Sequence, residues 1–263
     1  MSHSSKTIMR RVYDSLTWRV LEKWIGTLQA AAAVRSLYLH RTLARLLRLT
    51  DDLRILDAGS GEQAALTRVL ARRYPSHRFV ALDLYMQDPR EGHLPLPENV
   101  EYVEQDIIEY EPVEQFDFII CLDVLEHIED ASGAISLFYE WNRTGGYLIV
   151  HVPSDEQLIY LVKNRPINVT ERGSRPGDEH VRDGYGMGEI QRDVEHAGYS
   201  VVQKRFTFSA ATWLIKEVYS VLEGKRIKGI GIALLPILCL SVRIEMFRKL
   251  KRGNGILVLA RKT

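Results

Sequence analysis

The stretch Ile55-Leu56-Asp57-Ala58-Gly59-Ser60-Gly61 decides the fold of this chain of 263 residues. It starts with the apolar residues of a short buried strand and ends in a turn that contains two glycines. Apolar residues at helical spacing follow at Leu66, Val69 and Leu70. Glycine permits a tight connection from strand to helix and the close approach of a ligand to the backbone. We therefore predict the first strand and helix of an α/β sheet, with a ligand-binding turn between them.

Further strands and helices alternate along the chain after this turn. The sequence predicts strands at 78–82, 100–103, 116–122, 147–152, 199–202 and 255–260, and helices at 131–143 and 187–197. The run 116–122 is apolar almost throughout, as expected of a strand that is buried on both faces. Gly145 and Gly146 are typical of a helix C-terminus, and we expect them to follow the end of the first of these helices. Such alternation predicts a parallel sheet with helices on both faces.

Three segments do not follow this alternation. Residues 1–50 have apolar residues at helical spacing and predict an N-terminal helical extension before the main domain at 51–263. The polar residues 153–186 contain several prolines and glycines and predict a cap over the substrate. Residues 208–252 predict an apolar helical insertion before the last strand, and we expect Pro236 to interrupt its helix.

Aspartates recur where the predicted strands end. Asp57, Asp83, Asp106 and Asp123 each lie at or just after the carboxyl end of a strand. Ligands of open α/β sheets bind at this edge. A single aspartate there is usually a turn or helix cap. A series of four instead predicts a polar binding site, in which Asp83 accepts hydrogen bonds from ribose hydroxyls and Asp106 accepts from an adenine amino group.

The sequence resembles a known family in four motifs. The first motif is 55–61 and the second is 116–120. The third is Asp123-Val124-Leu125-Glu126-His127-Ile128, and the fourth is 145–150. Together these motifs resemble class I S-adenosylmethionine (SAM) dependent methyltransferases, in particular the subgroup that contains the ubiquinone and menaquinone biosynthesis enzymes. The resemblance covers residues 53–152 well and the remainder loosely.

The resemblance implies a fold, a cofactor and a set of binding residues. The implied fold is a Rossmann-like seven-stranded sheet, mostly parallel, with helices on both faces and the last strand antiparallel. The implied cofactor is SAM, with Asp57 and the glycines at its methionine end and Asp123 to His127 near its sulfonium. The expected cofactor-binding residues are Asp57, Gly59, Ser60, Gly61, Gln63, Asp83, Leu84, Asp106, Ile107, Asp123 and Leu125. Gln63 stands where many family members have a third glycine, which predicts a less open turn.

Methyl transfer to an oxygen also requires removal of the acceptor's proton. The candidate catalytic bases are His127 beside the cofactor and His180 in the cap, because the pKa of histidine lies near neutrality. His151, Arg182 and Tyr185 are the candidate substrate contacts, with Arg182 placed to bind an anionic acceptor. The Cys and His residues do not have the spacing of metal ligands, so no metal site is expected.

The apolar run 229–240 leaves two interpretations open, and one of them concerns the source of the acceptor. It is too short for an ordinary transmembrane helix, and it is either a core helix or a segment that lies in a membrane interface. The flanking cations are Lys225, Arg226, Lys228, Arg248, Lys249 and Lys251. The interfacial alternative predicts a small acceptor that is lipidic or lipid-linked, methylated at oxygen or carbon, and a peripheral contact with the inner face of the membrane.

Composition limits which binding partners and which cellular compartment we expect. The net charge of +1 does not favour nucleic acid as a partner. The two cysteines form no C-x-x-C pair and no signal peptide is visible, so we expect reduced thiols in the cytoplasm.

Two alternative functions remain from the sequence. The turn also fits G-x-G-x-x-A through Gly59, Gly61 and Ala64, with Asp83 on a ribose, which would indicate an NAD(P)-dependent oxidoreductase. The other alternative is a non-catalytic scaffold that binds SAM.

Overall fold

A computed structural model describes part of the chain. The described residues are 37–39, 46–47, 50, 52–86, 97–158, 180–224 and 228–263. Most of the predicted N-terminal extension and residues 159–179 of the predicted cap lie outside them. Within the extension, residues 37–39 and 46–47 are helical, and Tyr38, Leu39 and Leu47 are buried.

Seven strands and five α-helices form the described body. The strands are β1 (Arg54–Ala58), β2 (Arg78–Asp83), β3 (Val100–Glu104), β4 (Phe116–Leu122), β5 (Asn142–Pro153), β6 (Tyr199–Thr207) and β7 (Gly255–Lys262). The helices are α1 (Ala65–Arg73), α2 (Ala131–Trp141), α3 (Met187–His196), α4 (Ala210–Gly224) and α5 (Lys228–Met246), and a short 3-10 helix spans Leu125–His127.

The sheet has the order β3-β2-β1-β4-β5-β7-β6. The first five strands in this order, β3, β2, β1, β4 and β5, are each parallel to their neighbours, and β7 runs antiparallel to both β5 and β6. The predicted seven-stranded, mostly parallel sheet with an antiparallel last strand is therefore confirmed. Because β1 lies between β2 and β4, the strand order reverses there, and the carboxyl ends of these strands border a crevice.

The central strands are buried on both faces because successive side chains alternate between them. Leu56 and Ile119 belong to one buried apolar cluster, whereas Ile55 and Ile120 belong to the other. All five residues of β1 are buried. This anchoring on both faces fixes the backbone that leads into the glycine turn.

The predicted end of α2 was wrong. The helix ends at Trp141, and Gly145 and Gly146 lie inside β5. Asn142 is already extended, and its side chain links strands by donating to the Phe116 carbonyl at 3.2 Å. A β-carbon at Gly146 would lie 2.8 Å from the carbonyl oxygen of Arg143, so this glycine permits close packing in the strand rather than ending a helix.

Helices α4 and α5 form the insertion between β6 and β7. Pro236 lies inside α5, so the prediction that it interrupts the helix was wrong. Leu238 and Val242 are buried on one side of α5. Glu245, also buried, accepts hydrogen bonds from the Tyr38 hydroxyl and from the Ser209 amide, and these bonds fasten α5 to the body. Within the described part of the chain, every helix falls short of the length or apolar content needed to cross a membrane.

Candidate active site

A cavity of about 840 Å³ opens at the carboxyl ends of β1, β2 and β4. It lies at the point where the strand order reverses, where α/β sheets bind ligands. The predicted site residues that line it are Asp57, Gly59, Ser60, Gly61, Gln63, Asp83, Leu84, Asp106, Ile107, Asp123 and His127. Most of the residues expected around a cofactor are therefore brought together in one cavity.

The glycine turn needs its glycines for two different reasons. Gly59 and Gly61 have φ of 78° and 74°, in the left-handed region that glycine adopts without strain. A β-carbon at Gly59 would also lie 2.2 Å from Cγ2 of Val124, whereas one at Gly61 would meet no atom within 4 Å. Gln63 does not have a positive φ, since Ala64 (φ 45°) takes the left-handed conformation before α1. Replacement of the family's third glycine by glutamine therefore imposes no strain at this position.

Asp57 is a buried carboxyl at the base of the cavity. The Thr67 hydroxyl donates to its Oδ2 at 2.5 Å. Burial, with a smaller contribution from the charge of Asp83, raises the pKa of Asp57 to about 6. The side chain is therefore ionised at pH 7, but at an energetic cost that a bound cation would reduce.

Asp83 and Asp106 lie at the rim of the cavity and stabilise turns there. Oδ2 of Asp83 accepts from the Gly61 amide at 2.7 Å, and Oδ1 accepts from the Tyr85 amide at 3.2 Å. Oδ1 of Asp106 accepts from the Ile108 amide at 2.9 Å. Each carboxylate oxygen can accept more than one hydrogen bond, so a turn-capping role is compatible with ligand binding.

Asp123 forms the floor of the cavity together with a buried histidine behind it. Nδ1 of His151 lies 2.5 Å from Oδ1 of Asp123, and Nε2 lies 2.9 Å from Oγ1 of Thr207. Because His151 is buried and both of its ring nitrogens have partners, this placement argues against the predicted direct contact with substrate. The geometry instead makes His151 a residue that positions Asp123.

Two residues predicted to contact cofactor or substrate, Leu125 and Tyr185, lie in the core instead of the cavity wall. Leu125 is fully buried in the core, and Val124 and Ile128 line the cavity instead, because the 3-10 helix turns Leu125 inward. Tyr185 is also fully buried, and its hydroxyl donates to the Leu125 carbonyl at 3.0 Å. Tyr185 therefore holds the 3-10 helix in place and has no surface to offer a substrate.

Arg182 is held beside Tyr185. Its Nη1 donates to Oε1 of Glu189 at 2.7 Å, and its guanidinium carbon lies 4.3 Å from the centre of the Tyr185 ring. Arg182 is partly exposed but is not part of the cavity wall, so its contact with an anionic acceptor stays a prediction.

The two candidate bases lie together, with His127 in the cavity wall and His180 packed against it outside that wall. The rings of His127 and His180 are 4.4 Å apart between centres and nearly perpendicular. Burial and the neighbouring His127 lower the pKa of His180, so its imidazole is neutral at pH 7. The preceding residue, Glu126, is buried, and its carbonyl accepts from the Val181 amide at 2.9 Å. This hydrogen bond places the cap residue His180 against the 3-10 helix.

Sequence reasoning missed Thr67 at this site, and it included Val124 and Glu126 only within the range 123–127, without a role of their own. Thr67 orients Asp57, Val124 limits the space at Gly59, and Glu126 lies beside both histidines. Glu126 had a visible signal, because a carboxylate next to a histidine in a motif is a candidate ligand or hydrogen-bond partner. The roles of Thr67 and Val124 depend on packing between elements and leave no local pattern.

A family model gives the strongest comparison with known proteins. The model described as methyltransferase domain matches residues 30–204, which include the glycine turn and strands β1 to β5. No curated protein shows a significant sequence match to the chain.

Solved structures share the fold at low sequence identity. A Haemonchus contortus phosphoethanolamine N-methyltransferase, crystallised with phosphomonomethylethanolamine and S-adenosylhomocysteine, has a TM-score of 0.58 and 16% identity. The match covers 97% of this chain, which spans 59% of that protein. A Galdieria sulphuraria protein described as a candidate sarcosine dimethylglycine methyltransferase has a TM-score of 0.59 at 15% identity, with 97% of each chain covered. The cyclase SpnF has a TM-score of 0.55 at 17% identity, with 96% of this chain and 94% of SpnF covered, so the fold alone does not identify a reaction.

Proposed function

Because the chain belongs to the methyltransferase domain family, we propose that it transfers a methyl group from SAM to a hydroxyl oxygen of a lipidic or lipid-linked acceptor. Methyltransferase domains use SAM as methyl donor, which confirms the cofactor prediction at the level of the family. We propose, beyond the family, that the acceptor atom is oxygen, that the acceptor is lipidic, and that the chain resembles the quinone-methylating subgroup in function.

The observation that carries the proposal is the cavity beside the glycine turn. Its volume of about 840 Å³ is in the range of cofactor pockets. Asp57 and Asp123 line the cavity and would face the cationic methionine and sulfonium, and Asp83 and Asp106 at its rim would accept hydrogen bonds from ribose and adenine. The residues therefore fit SAM in shape, charge and hydrogen-bonding capacity.

Bound SAM would supply a methyl group that is already activated by a positive sulfur. In the transfer, the acceptor oxygen forms the O–C bond, the S–C bond breaks with its electrons left on sulfur, and the hydroxyl proton is lost. The chain contributes position, since near-attack alignment can provide much of the rate acceleration. Asp123, held by His151 and Thr207, keeps the floor of the site rigid.

The two histidines support an oxygen acceptor that must lose a proton. His127 lines the cavity and contacts His180, which is neutral at pH 7. We propose that this pair promotes removal of the hydroxyl proton on the acceptor side of the cavity.

An exposed apolar face on α5 supports the lipidic acceptor. Ile237, Leu240 and Ile244 on α5 and Phe247 just after its end are 51%, 57%, 49% and 78% exposed, and a spacing of three and four residues puts the first three on one side of the helix. We call these four residues the apolar stripe. Exposed cations beside or after it are Arg243, Arg248, Lys249, Lys251 and Arg252. Lys225 and Arg226 of the predicted flank lie outside the described residues.

We propose that the apolar stripe lies in the interface of an anionic membrane. Apolar residues backed by cations match the chemistry of such a surface, with acyl chains below and negative headgroups above. The opposite face of α5 packs through Leu238 and Val242 in a cluster with Phe208, whose ring centre lies 5.9 Å from that of His151 behind the cavity floor. A membrane-held acceptor would therefore reach the enzyme on the side of the insertion.

The experiment supplies the chain with methyl-labelled SAM and a bacterial lipid extract. The expected result is label in the organic phase, at a level that Asp83→Ala reduces at least about tenfold through weaker SAM binding. Label found only in aqueous products would contradict the lipidic acceptor. Binding of S-adenosylhomocysteine without any methylated product would favour the scaffold, and binding of NAD(H) alone would favour the oxidoreductase.

A further inference from the structure

The side chains of Glu126, His127 and His180 converge next to the donor cavity. One candidate ligand atom from each lies within 4.8 Å of the others. We infer that these three residues bind a divalent transition-metal ion such as Zn²⁺ on the acceptor side of the cavity. Its binding is independent of the proposed function, but its role in methyl transfer rests on that function.

The distances suit one shared ion. Ligand atoms that each lie about 2.1 Å from an ion are at most about 4.2 Å apart, and closer in tetrahedral geometry. The three side chains therefore need to move by less than about 1 Å to reach it, which is within the range of small rotamer adjustments. His127 also lines the cavity, so an ion held there would face the bound reactants.

The backbone around the cluster is fixed by contacts that do not involve the candidate ligand atoms. The Val181 amide donates to the Glu126 carbonyl at 2.9 Å, which holds the cap segment against the 3-10 helix. The Tyr185 hydroxyl donates to the Leu125 carbonyl at 3.0 Å, and Tyr185 bridges to Ser154 at the end of β5. His127 and His180 lie 53 positions apart in the sequence. These backbone contacts hold the two parts of the cluster together before any ion binds.

The chemistry of the donor set favours a metal. Glu126 is 1% exposed, and a divalent ion beside its carboxylate would offset the cost of burying the negative charge. Among the described residues, Nδ1 of His180 is buried without a hydrogen-bond partner. Two imidazoles and one carboxylate form a common three-ligand set for catalytic zinc, which leaves a coordination position open. The sequence-based expectation of no metal site considered only local spacing and did not include this grouping.

An ion at this place would act on the acceptor hydroxyl. A divalent ion lowers the pKa of a coordinated hydroxyl, so its proton passes to water and the oxygen attacks the methyl carbon as the S–C bond breaks. His127 and His180 would then promote proton loss as ligands of the ion. No oxidant, reductant or further co-reactant is required.

The test is a calorimetric titration of tag-free, chelator-stripped protein with Zn²⁺ alone. We expect about one equivalent to bind, and His180→Ala and His127→Ala to weaken the affinity at least about tenfold. His196→Ala removes an exposed histidine from α3 and serves as the matched control with unchanged affinity. Absence of zinc binding in the wild type, or equal affinity in His180→Ala, would overturn the inference. Circular dichroism of the metal-free variants checks that they are folded.

Titration of the same samples with S-adenosylhomocysteine separates this inference from the proposed function. If S-adenosylhomocysteine binds and zinc does not, only the metal site fails. If zinc binds and S-adenosylhomocysteine does not, the metal site stands and the proposed methyl transfer fails.

Discussion

Asp57 shows how a single residue can favour ligand binding at the expense of stability. The strand β1 buries it, and the neutral hydroxyl of Thr67 donates a hydrogen bond to its carboxylate. Burial raises its pKa to about 6, so keeping the charge at pH 7 costs about 3 kcal/mol relative to an ordinary carboxyl. A cation near this carboxylate offsets the cost, as expected of a group that binds the charged end of a cofactor.

Replacing Asp57 by asparagine should therefore stabilise the protein and weaken cofactor binding. In the folded chain Asp57 keeps its proton up to about pH 6, whereas an unfolded aspartate loses it near pH 4. The wild type thus loses stability as the pH rises from 4 to 7, by up to about 3 kcal/mol relative to Asp57→Asn. Urea unfolding at several pH values measures this difference. An unfolding free energy that changes equally with pH in both proteins would contradict it.

Calorimetry on the same variant measures the second effect. Loss of a charge-assisted hydrogen bond should weaken binding of S-adenosylhomocysteine about tenfold or more at pH 7. Thr67→Val, which removes the hydroxyl and keeps the charge, is the matched control and should weaken binding less.

The two glycines of the turn provide a comparison of strain with steric overlap. Gly61→Ala forces a left-handed conformation into open space and should cost about 1–2 kcal/mol of unfolding free energy. Gly59→Ala adds an overlap with Val124 and should cost about 1–3 kcal/mol more. Urea denaturation measures both. The double variant Gly59→Ala/Val124→Ala should recover part of the added loss, and no recovery would show that Val124 is not the obstacle.

At the scale of elements, helix α5 presents two different faces. Leu238 and Val242 bury one face against the body, and the apolar stripe exposes the other. The sequence left open whether this apolar segment is a core helix or an interfacial helix. The structure shows one buried face and one exposed apolar face, because a helix only half covered by its neighbours leaves apolar residues in contact with water, and the interfacial role of the exposed face is our proposal.

Vesicle flotation tests the exposed face. The wild type should float with vesicles rich in anionic lipid, and Leu240→Ser/Phe247→Ser should reduce the bound fraction several-fold because less apolar area enters the membrane. Val113→Ser/Val202→Ser removes two exposed apolar residues elsewhere and should have no effect. Raising the salt concentration should weaken binding through the cations. Flotation that is equal in both double variants would contradict a role for the apolar stripe.

At the scale of the whole molecule, the cavity joins residues from distant parts of the chain. S-adenosylhomocysteine at 100 times its Kd should stabilise the folded state by about 2.7 kcal/mol, because it binds that state alone. For a chain of this length the melting temperature should then rise by about 5–10 °C in a thermal scan. Asp83→Asn should show a smaller rise at the same concentration, and NAD(H) should produce none in the wild type. A rise with NAD(H) alone would contradict the proposed cofactor.

Much of the architecture could be predicted because it depends on local patterns. The apolar strands with their aspartates predicted the parallel sheet and the edge where Asp57, Asp83, Asp106 and Asp123 meet. The predictions failed where tertiary contacts outweighed local preference. Gly145 and Gly146 lie in β5 where its pairing with β4 shifts register and where a glycine permits close packing, and Pro236 lies within a helix that packs on the body.

Local patterns were enough to predict the order of strands and helices, the glycine turn and the methyltransferase family, since hydrophobic periodicity and backbone freedom are properties of neighbouring residues. Which side chains share a site became clear from the packing of the folded chain alone. Leu125 and Tyr185 are buried in the core. His151 contacts Asp123 and Thr207 through its ring nitrogens, and His180 lies beside Glu126 and His127. The physical reason is that contacts between distant residues depend on how elements pack, and packing has no signature within a short stretch of chain.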